Sequence, residues 1–206
     1  MPRVSAEHLE RRRQQILDAA QLCFARKGFY ETSMQDIFTE SDLSAGAVYR
    51  YFKSKNDIIA ALATESTVEL RATMAEAIRS DPLPTPAQLV RVIAEYIVER
   101  SGPDGPVRLA PQAWALALVH EEAAEYIKDA VRAMRERWYE YVERMVEVGW
   151  LPPDTDVHAV AMALIGLVPG FMLQHLIVSD VDPEALARGV ATLLPYGPPG
   201  AHPNNA

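Results

Sequence analysis

Apolar side chains recur along this chain at the three- and four-residue spacing of amphipathic helices. The pattern is clearest between residues 121 and 148, where apolar residues follow one another at alternating steps of four and three from Ile127 to Val148. Alternating apolar and polar residues are rare, and no run rich in β-branched residues is long enough for a sheet. The sequence therefore predicts an all-α fold.

Cap and breaker residues divide this pattern into about nine helices. Gly28 is a typical residue after a helix end, and Ser44 is a typical N-cap. Ser33 stands three residues before Asp36, which resembles a capping box. The helices are predicted over 8–27, 34–40, 45–52, 55–79, 86–100, from 106 or 111 to 120, 121–148, 156–179 and 183–194.

These helices are expected to form two domains. Three short helices lie in a small N-terminal domain over 1–54, and the others form a larger bundle over 55–196. Residues 197–206 contain too much proline, glycine and asparagine to fold, and we expect a disordered tail.

Charge is unevenly distributed along the 206 residues. The formal net charge is -8, yet residues 1–55 hold nine lysines and arginines against seven acidic residues. A positive N-terminal quarter on an acidic body is typical of a protein that binds a polyanion there.

Other classes of protein find little support. No secretory segment and no apolar run of about 18 residues are evident, so we expect a soluble, cytoplasmic protein with no membrane contact. The single cysteine, Cys23, is expected to be buried and inert, and the five histidines show no metal-ligand spacing. With no nucleophile elbow or phosphate loop, neither an enzyme, a metal site nor a cofactor is expected.

The stretch LSAGAVYRYFKSK, residues 43–55, is the most informative part of the chain. Two short helices joined by a turn, the second basic and aromatic, are typical of a helix-turn-helix. Small residues at the tip of the second helix allow its backbone to approach base edges in a major groove, while Val48 and Phe52 are expected to be core.

Over about 50 residues the sequence resembles the TetR (tetracycline-repressor-like) transcriptional regulators. The resemblance rests on ILDAAQLCFARKGFYETSMQDIF and LSAGAVYRYFKSKNDIIAAL, and it is weaker in the C-terminal part. It implies a ligand-responsive transcriptional regulator that binds double-stranded operator DNA, and we expect a repressor. The positions that it implies for DNA contact are Thr32, Ser33, Ser44, Ala45, Gly46, Ala47, Tyr49, Arg50, Tyr51 and Lys55.

Two positions depart from the family pattern. Ala45 and Ala47 offer only methyl groups where family members often have a polar residue. Base readout must then depend on Arg50, Tyr49, contacts with thymine methyl groups and DNA shape. Asp42 replaces the usual turn glycine, and aspartate tolerates left-handed geometry.

Methionine and aromatic residues in the C-terminal bundle are candidates for an effector pocket. Each could equally be plain core, but together they could enclose a cavity for a hydrophobic or amphipathic molecule, with the acidic body slightly favouring a neutral or cationic one. The residues selected are Tyr96, Trp114, Met134, Trp138, Phe171 and His175.

Several alternatives stay open. Residues 11–13, three arginines, could be a solvated helix face or contact phosphates, with Arg3 in a flexible arm. Pro169 could adjust packing at a dimer seam or shape the ligand cavity. A homodimer through 156–179 and 183–194 is expected. There are two rival functions. One is an enzyme or ligand carrier with a helical bundle and no DNA role, and the other is an activator that binds DNA.

Overall fold

The structure, a computed structural model, describes residues 6–197, apart from the side chains at positions 66, 122 and 123. This part of the chain contains helices and connecting turns, and none of it is strand. The helices are α1 (Ala6–Glu31), α2 (Met34–Ser41), α3 (Ala45–Tyr49), α4 (Lys55–Arg79), α5 (Pro86–Glu99), α6 (Leu109–Val119), α7 (Glu121–Glu147), α8 (Val157–Ile165), α9 (Leu167–Ile177) and α10 (Pro183–Leu193), with a 3-10 turn at Pro106–Arg108.

The described residues form two compact units. The first comprises the residues up to Ser66 together with Ser101–Ala130, and the second comprises Thr67–Arg100 and the residues from Val131 onward. The division falls within α4 and α7. Because functional domains need not follow compact units, the boundaries at 54 and 196 stay a prediction.

The first unit is built on the apolar face of α1. Ile16, Leu17 and Phe24 are completely buried, and the rings of Phe24 and Phe29 meet edge to face at 4.7 Å. Residues of α2, α3, α4 and α6 join the same hydrophobic cluster. Cys23 is 6% exposed, which confirms its predicted burial, and burial raises the pKa of its thiol.

Gly28 kinks the C-terminal end of α1. Its φ of 80° and ψ of 166° are not helical, and this φ favours glycine over other residues. The Gln112 side-chain oxygen accepts a hydrogen bond from the Phe29 N–H at 3.0 Å just beyond the kink. The prediction that the regular first helix stops at Gly28 is confirmed.

In the second unit, α5 packs against α10 and α9. Its buried face includes Leu89, Ile93 and Ile97, and its N-cap Thr85 forms a capping box with Gln88. On α7, Trp138 and Tyr141 are completely buried, and the Tyr141 hydroxyl donates to the Pro84 carbonyl at 2.7 Å. Burial raises the pKa of Tyr141 well above its usual value.

The predicted single helix over 156–179 is wrong. The structure divides it into α8 and α9 at Gly166, which gives ten α-helices in the described range where about nine were predicted. The division places Pro169 in the first turn of α9, where a missing N–H costs no hydrogen bond.

The same segment corrects the expectation that the chain lacks an apolar run of about 18 residues. Val157–Ile177 is long and apolar enough to cross a membrane by length and composition alone, with a mean hydropathy of 1.9. Only 22% of its most apolar window is buried. Its polar side chains are His158, Gln174 and His175, and it contains no aspartate, glutamate, lysine or arginine.

Two predictions fall outside the described residues. These are the arm carrying Arg3 and, beyond residue 197, the disordered tail.

Candidate nucleic-acid interface

Three local devices shape the turn between α2 and α3. The Ser33 hydroxyl accepts a hydrogen bond from the Asp36 N–H at 3.2 Å, and the Asp36 carboxylate accepts one from the Ser33 N–H at 2.8 Å. Asp42 ends α2 in left-handed geometry with φ 52° and ψ 40°, and Ser44 caps α3 through the Ala47 N–H. All three features were predicted from the sequence and are confirmed.

The outward face of α3 carries the predicted small and basic residues. Ala45, Gly46 and Arg50 are exposed, and Tyr49 is 42% exposed. The Tyr49 ring meets Phe38 edge to face at 5.5 Å, which limits its freedom to move. The exposed guanidinium of Arg50 and the packed ring of Tyr49 therefore follow a helix end that carries only small side chains.

The inward face of α3 holds the helix on the first unit. Val48 is completely buried and Phe52 is 6% exposed, as predicted. Ala47 is half-buried, and the half-buried Tyr51 packs against the hydrophobic cluster. Tyr49 and Tyr51 therefore differ in role, although the sequence treats them as a pair.

Thr32 must be removed from the predicted contact residues. It is 1% exposed, and its hydroxyl donates to the Gly28 carbonyl at 2.8 Å and to the Cys23 carbonyl at 3.2 Å. A polar side chain so deeply buried must find partners inside the protein, and these are carbonyls at the end of α1. Its neighbour Ser33 is exposed.

Lys55 is also not a free phosphate ligand. Its ammonium donates to the carbonyls of Phe29, Tyr30 and Thr32, which occupy all three of its protons. Burial lowers the pKa of this lysine. Lys55 therefore holds the C-terminal end of α1 and the residue after it, which gives it a structural role, and its direct contact with DNA stays a prediction.

The three arginines at positions 11–13 have different surroundings. Arg13 pairs with Glu65 at 2.6 Å and lies 5.8 Å from the centre of the Phe52 ring, so it fastens α1 to α4. Arg12 donates to the Gln15 side chain at 2.8 Å. Arg11 is exposed, and both interpretations remain open for it.

Sequence reasoning missed three exposed side chains near this surface. Tyr30 is 64% exposed, and Gln35 and Thr39 are exposed on α2. No sequence signal identified Tyr30, because adjacent residues of α1 such as Ile16 and Leu17 can both be buried.

Comparison with known proteins agrees with this geometry. The family model described as bacterial regulatory proteins, tetR family, matches residues 16–62, and the one described as BetI-type transcriptional repressor, C-terminal, matches residues 86–195. The second match alone covers more than half of the chain. The chain belongs to the TetR family of transcriptional regulators. This family comprises DNA-binding regulators and not enzymes.

Individual relatives of this TetR-family protein cover different parts of it. The chain is 25% identical over 191 residues to the regulator YfiR of Bacillus subtilis, covering 92% of this chain and 91% of YfiR. It is 39% identical over 72 residues to the transcriptional repressor Rv1474c of Mycobacterium tuberculosis, covering 35% of this chain and 38% of that repressor. Among solved structures, FadR from Bacillus subtilis in complex with stearoyl-CoA has a TM-score of 0.70 at 20% identity, covering 88% and 97% of the two chains, which shows the shared fold.

The six predicted effector residues do not all fall in one unit of this TetR-family protein. Trp114 belongs to the first unit, where it packs against the hydrophobic cluster, and the other five lie in the second. Their role in effector binding stays a prediction.

Within the second unit the five residues have different surroundings. Tyr96 lies under the Arg100 guanidinium, which is 3.9 Å from its ring centre, and its hydroxyl donates to Glu69 at 3.5 Å. On α9 the rings of Phe171 and His175 stack with centres 5.9 Å apart. Met134 is half-buried on α7, one turn before buried Trp138.

Proposed function

We propose that this protein is a ligand-responsive repressor that binds a pseudo-palindromic operator as a homodimer and is released by a small hydrophobic or amphipathic effector. The observation that carries the proposal is the bare, exposed tip of α3 beside Arg50 and Tyr49. It acts in the cytoplasm, where the DNA is.

The contact surface of α3 suits direct approach to a major groove. A Cβ atom added at Gly46 would meet nothing within 4 Å inside the protein, so the space beside it is open to a partner. Arg50 supplies a bidentate donor for guanine or phosphate, and the methyl groups of Ala45 and Ala47 suit thymine. DNA shape supplies part of the specificity.

A second copy of the chain is the proposed cover for the apolar residues of α8, α9 and α10. Met162 is 52% exposed, Ile177 is 75% exposed and Leu193 is 76% exposed. Water contact with so many apolar side chains is unfavourable, and a two-fold operator requires a two-fold protein. The α3 helices of the two copies, here called the recognition helices, would then enter successive major grooves about 34 Å apart.

Release follows from the continuity of α4. This helix runs without interruption from Lys55, beside α3, to Arg79. An effector that favours a swung position of α4 changes the spacing of the two recognition helices. It can shift the equilibrium only by its difference in affinity for the two states, typically about 1–3 kcal/mol of coupling.

Footprinting on DNA from upstream of its own gene tests this proposal. We expect two protected half-sites about 10 base pairs apart, centre to centre, and loss of protection when an effector is added from a library of apolar and amphipathic compounds. Protection that no compound reverses would remove the effector from the proposal. A reporter gene that is activated, and not repressed, would reverse the sign of regulation.

A further inference from the structure

Two N–H donors on α7 are buried without an acceptor among the described residues. One is the indole Nε1 of Trp138, a side chain that is 0% exposed, and the other is Nε of Arg135. These residues stand three positions apart, so they lie on the same side of the helix, one turn from each other.

An unpaired donor in this position is unusual. More than nine in ten buried polar groups in folded proteins have a hydrogen-bond partner, and leaving a donor unpaired costs stability. The nearest aromatic neighbour of Trp138 is Tyr141, whose ring centre is 6.1 Å away and whose hydroxyl is directed to the Pro84 carbonyl. An acceptor for these two donors must therefore come from outside the described residues.

Arg135 differs from other arginines of the same helix. Arg137 pairs with Glu140 at 2.6 Å, and Arg144 pairs with Glu147 at 2.7 Å, each with the carboxylate three residues later. One turn from Arg135 in either direction stand valine, arginine, tryptophan and tyrosine, at positions 131, 132, 138 and 139. Arg135, a half-buried residue, has no such carboxylate three residues later, and its buried Nε has no hydrogen-bond partner among the described residues.

We propose that the effector carries an anionic head group of the carboxylate class, which accepts hydrogen bonds from Trp138 Nε1 and Arg135 Nε. The inference rests on the proposed function, because it presumes that an effector binds the second unit. Both donors lack acceptors, they lie one turn apart on the same side of α7, and one belongs to a positively charged group, so the proposed anion would supply acceptors for both. An apolar remainder would lie beside Met134, one turn before Trp138.

This inference reverses the expectation that the acidic body favours a neutral or cationic ligand. The net charge of -8 is spread over the whole chain, and solvent screens most of it at a distance of more than about 10 Å. The Nε of Arg135 is buried although the residue as a whole is half-buried, so its interaction with a bound anion is screened less than that of a surface charge. The local donors therefore decide the charge of the ligand.

Nuclear magnetic resonance of the 15N-labelled full-length protein tests the contact directly. The chain has three tryptophans, and Trp138→Phe assigns the indole resonance of Trp138. The probes are decanoate, decan-1-ol and decyltrimethylammonium, which share an apolar chain and differ in head group. Decanoate should move the Trp138 indole proton downfield, leave that of Trp150 in place, and bind at least about tenfold more tightly than the cation.

Matched variants separate the site from general charge attraction. Arg135→Gln should weaken decanoate binding by about tenfold or more and leave decan-1-ol binding unchanged, whereas Arg137→Gln should change neither. Equal binding of anion and cation, equal losses in the two variants, or a Trp138 resonance that decanoate leaves in place would overturn the inference. The last result would mean that a buried water satisfies these donors.

Operator binding without any probe keeps the two proposals apart. If the protein binds its operator and a cationic or neutral compound releases it, the function stands and the anionic site is wrong. If the protein ignores DNA, the proposed function fails, and the decanoate titration still decides the site.

Discussion

At the scale of single residues, the proposed DNA-contact surface of α3 depends on the lack of a side chain at Gly46. Gly46 is exposed at the tip of α3, has no atom within 4 Å of the position of a Cβ, and has no positive φ that would require glycine. Neither the fold nor the backbone conformation explains a glycine here. The proposed close approach of DNA to the backbone accounts for it.

Gly46→Leu should therefore separate binding from folding. The free energy of unfolding should not fall and can rise by up to about 1 kcal/mol, because leucine favours a helix more than glycine does. Operator affinity, measured by fluorescence anisotropy, should fall by at least about tenfold because leucine blocks the approach of DNA. Gly102→Leu, the same change in an open loop position, is the control and should leave affinity unaltered. Unchanged affinity in Gly46→Leu would exclude the tip of α3 from the interface.

Asp36 makes the stability of the α2 cap depend on pH. Hydrogen bonds from the Lys27 ammonium at 2.6 Å and from the hydroxyl and N–H of Ser33 hold the pKa of this carboxyl well below its usual range. A folded-state pKa below the unfolded one stabilises the fold above the unfolded pKa of about 4, and this contribution is lost as the pH falls.

Asp36→Asn should accordingly lower the urea midpoint of unfolding at pH 7 more than at pH 3.5. Asp154→Asn, in the exposed loop between α7 and α8, serves as a control and should cost little at either pH. A difference between wild type and Asp36→Asn that is the same at both pH values would mean that the ionised carboxylate does not stabilise the cap.

Sequence patterns predicted single residues well where the cause is local. Ser33, Asp42 and Ser44 act through their own turns, and Val48 and Phe52 are spaced to share one helix face. Thr32 was misassigned because its partners are backbone carbonyls brought near by folding, and nothing in the sequence indicated that Lys55 donates to such carbonyls. The sequence does not show whether a polar residue beside a DNA-binding helix faces solvent or donates hydrogen bonds to backbone carbonyls inside the protein.

At the scale of elements, the position of α2 depends on the Lys55 ammonium. Lys55→Gln should lower the free energy of unfolding by about 1–3 kcal/mol, because three carbonyls lose a charged donor. Lys53→Gln, which removes one exposed hydrogen bond to the Tyr49 carbonyl, should cost no more than about 0.5 kcal/mol. Chemical denaturation measures both. Retained stability in Lys55→Gln, with a shallower salt dependence of DNA binding, would restore this lysine as a phosphate contact.

The α9 helix carries the test of the proposed dimer. Gly170 is exposed and has no atom within 4 Å of a Cβ position, so Gly170→Leu should not disturb the fold of one chain. It should instead convert the dimer into a monomer, as light scattering after size-exclusion chromatography would show. Ala115→Leu, at an exposed position on α6, should leave the dimer intact. A Gly170→Leu protein that stays dimeric would move the interface away from this part of α9.

Elements were predicted well wherever a cap and a breaker mark both ends. Thr85 with Pro86, and Asp182 with Pro183, begin α5 and α10 as expected. The division between α8 and α9 escaped prediction because an uninterrupted apolar run looks like one helix. The division lies at Gly166, three residues before Pro169. A single glycine there is a weak sequence signal for a helix end, and the proline alone does not show where the helix divides.

At the scale of the whole molecule, the family and the all-α fold follow from the sequence, but the two compact units do not. Residues 101–130 belong with the N-terminal helices through buried Leu109, Ala113 and Leu116, whose partners lie about 90 residues away in the chain. Helical periodicity indicates which face of a helix is buried, but it does not indicate which other helix packs against that face. Effector chemistry was likewise beyond reach, since an unpaired donor becomes visible only when its surroundings are known.

The most direct test of the central claim compares the DNA affinity of two double variants. Arg50→Ala with Tyr49→Ala changes the proposed contact surface, and Arg132→Ala with Tyr126→Ala makes the same changes at exposed positions of α7. At low salt, anisotropy with DNA from upstream of the gene should show a loss of at least about 1–3 kcal/mol in binding free energy for the first variant and none for the second. Equal affinity of wild type and the Arg50→Ala, Tyr49→Ala protein would contradict DNA recognition by α3.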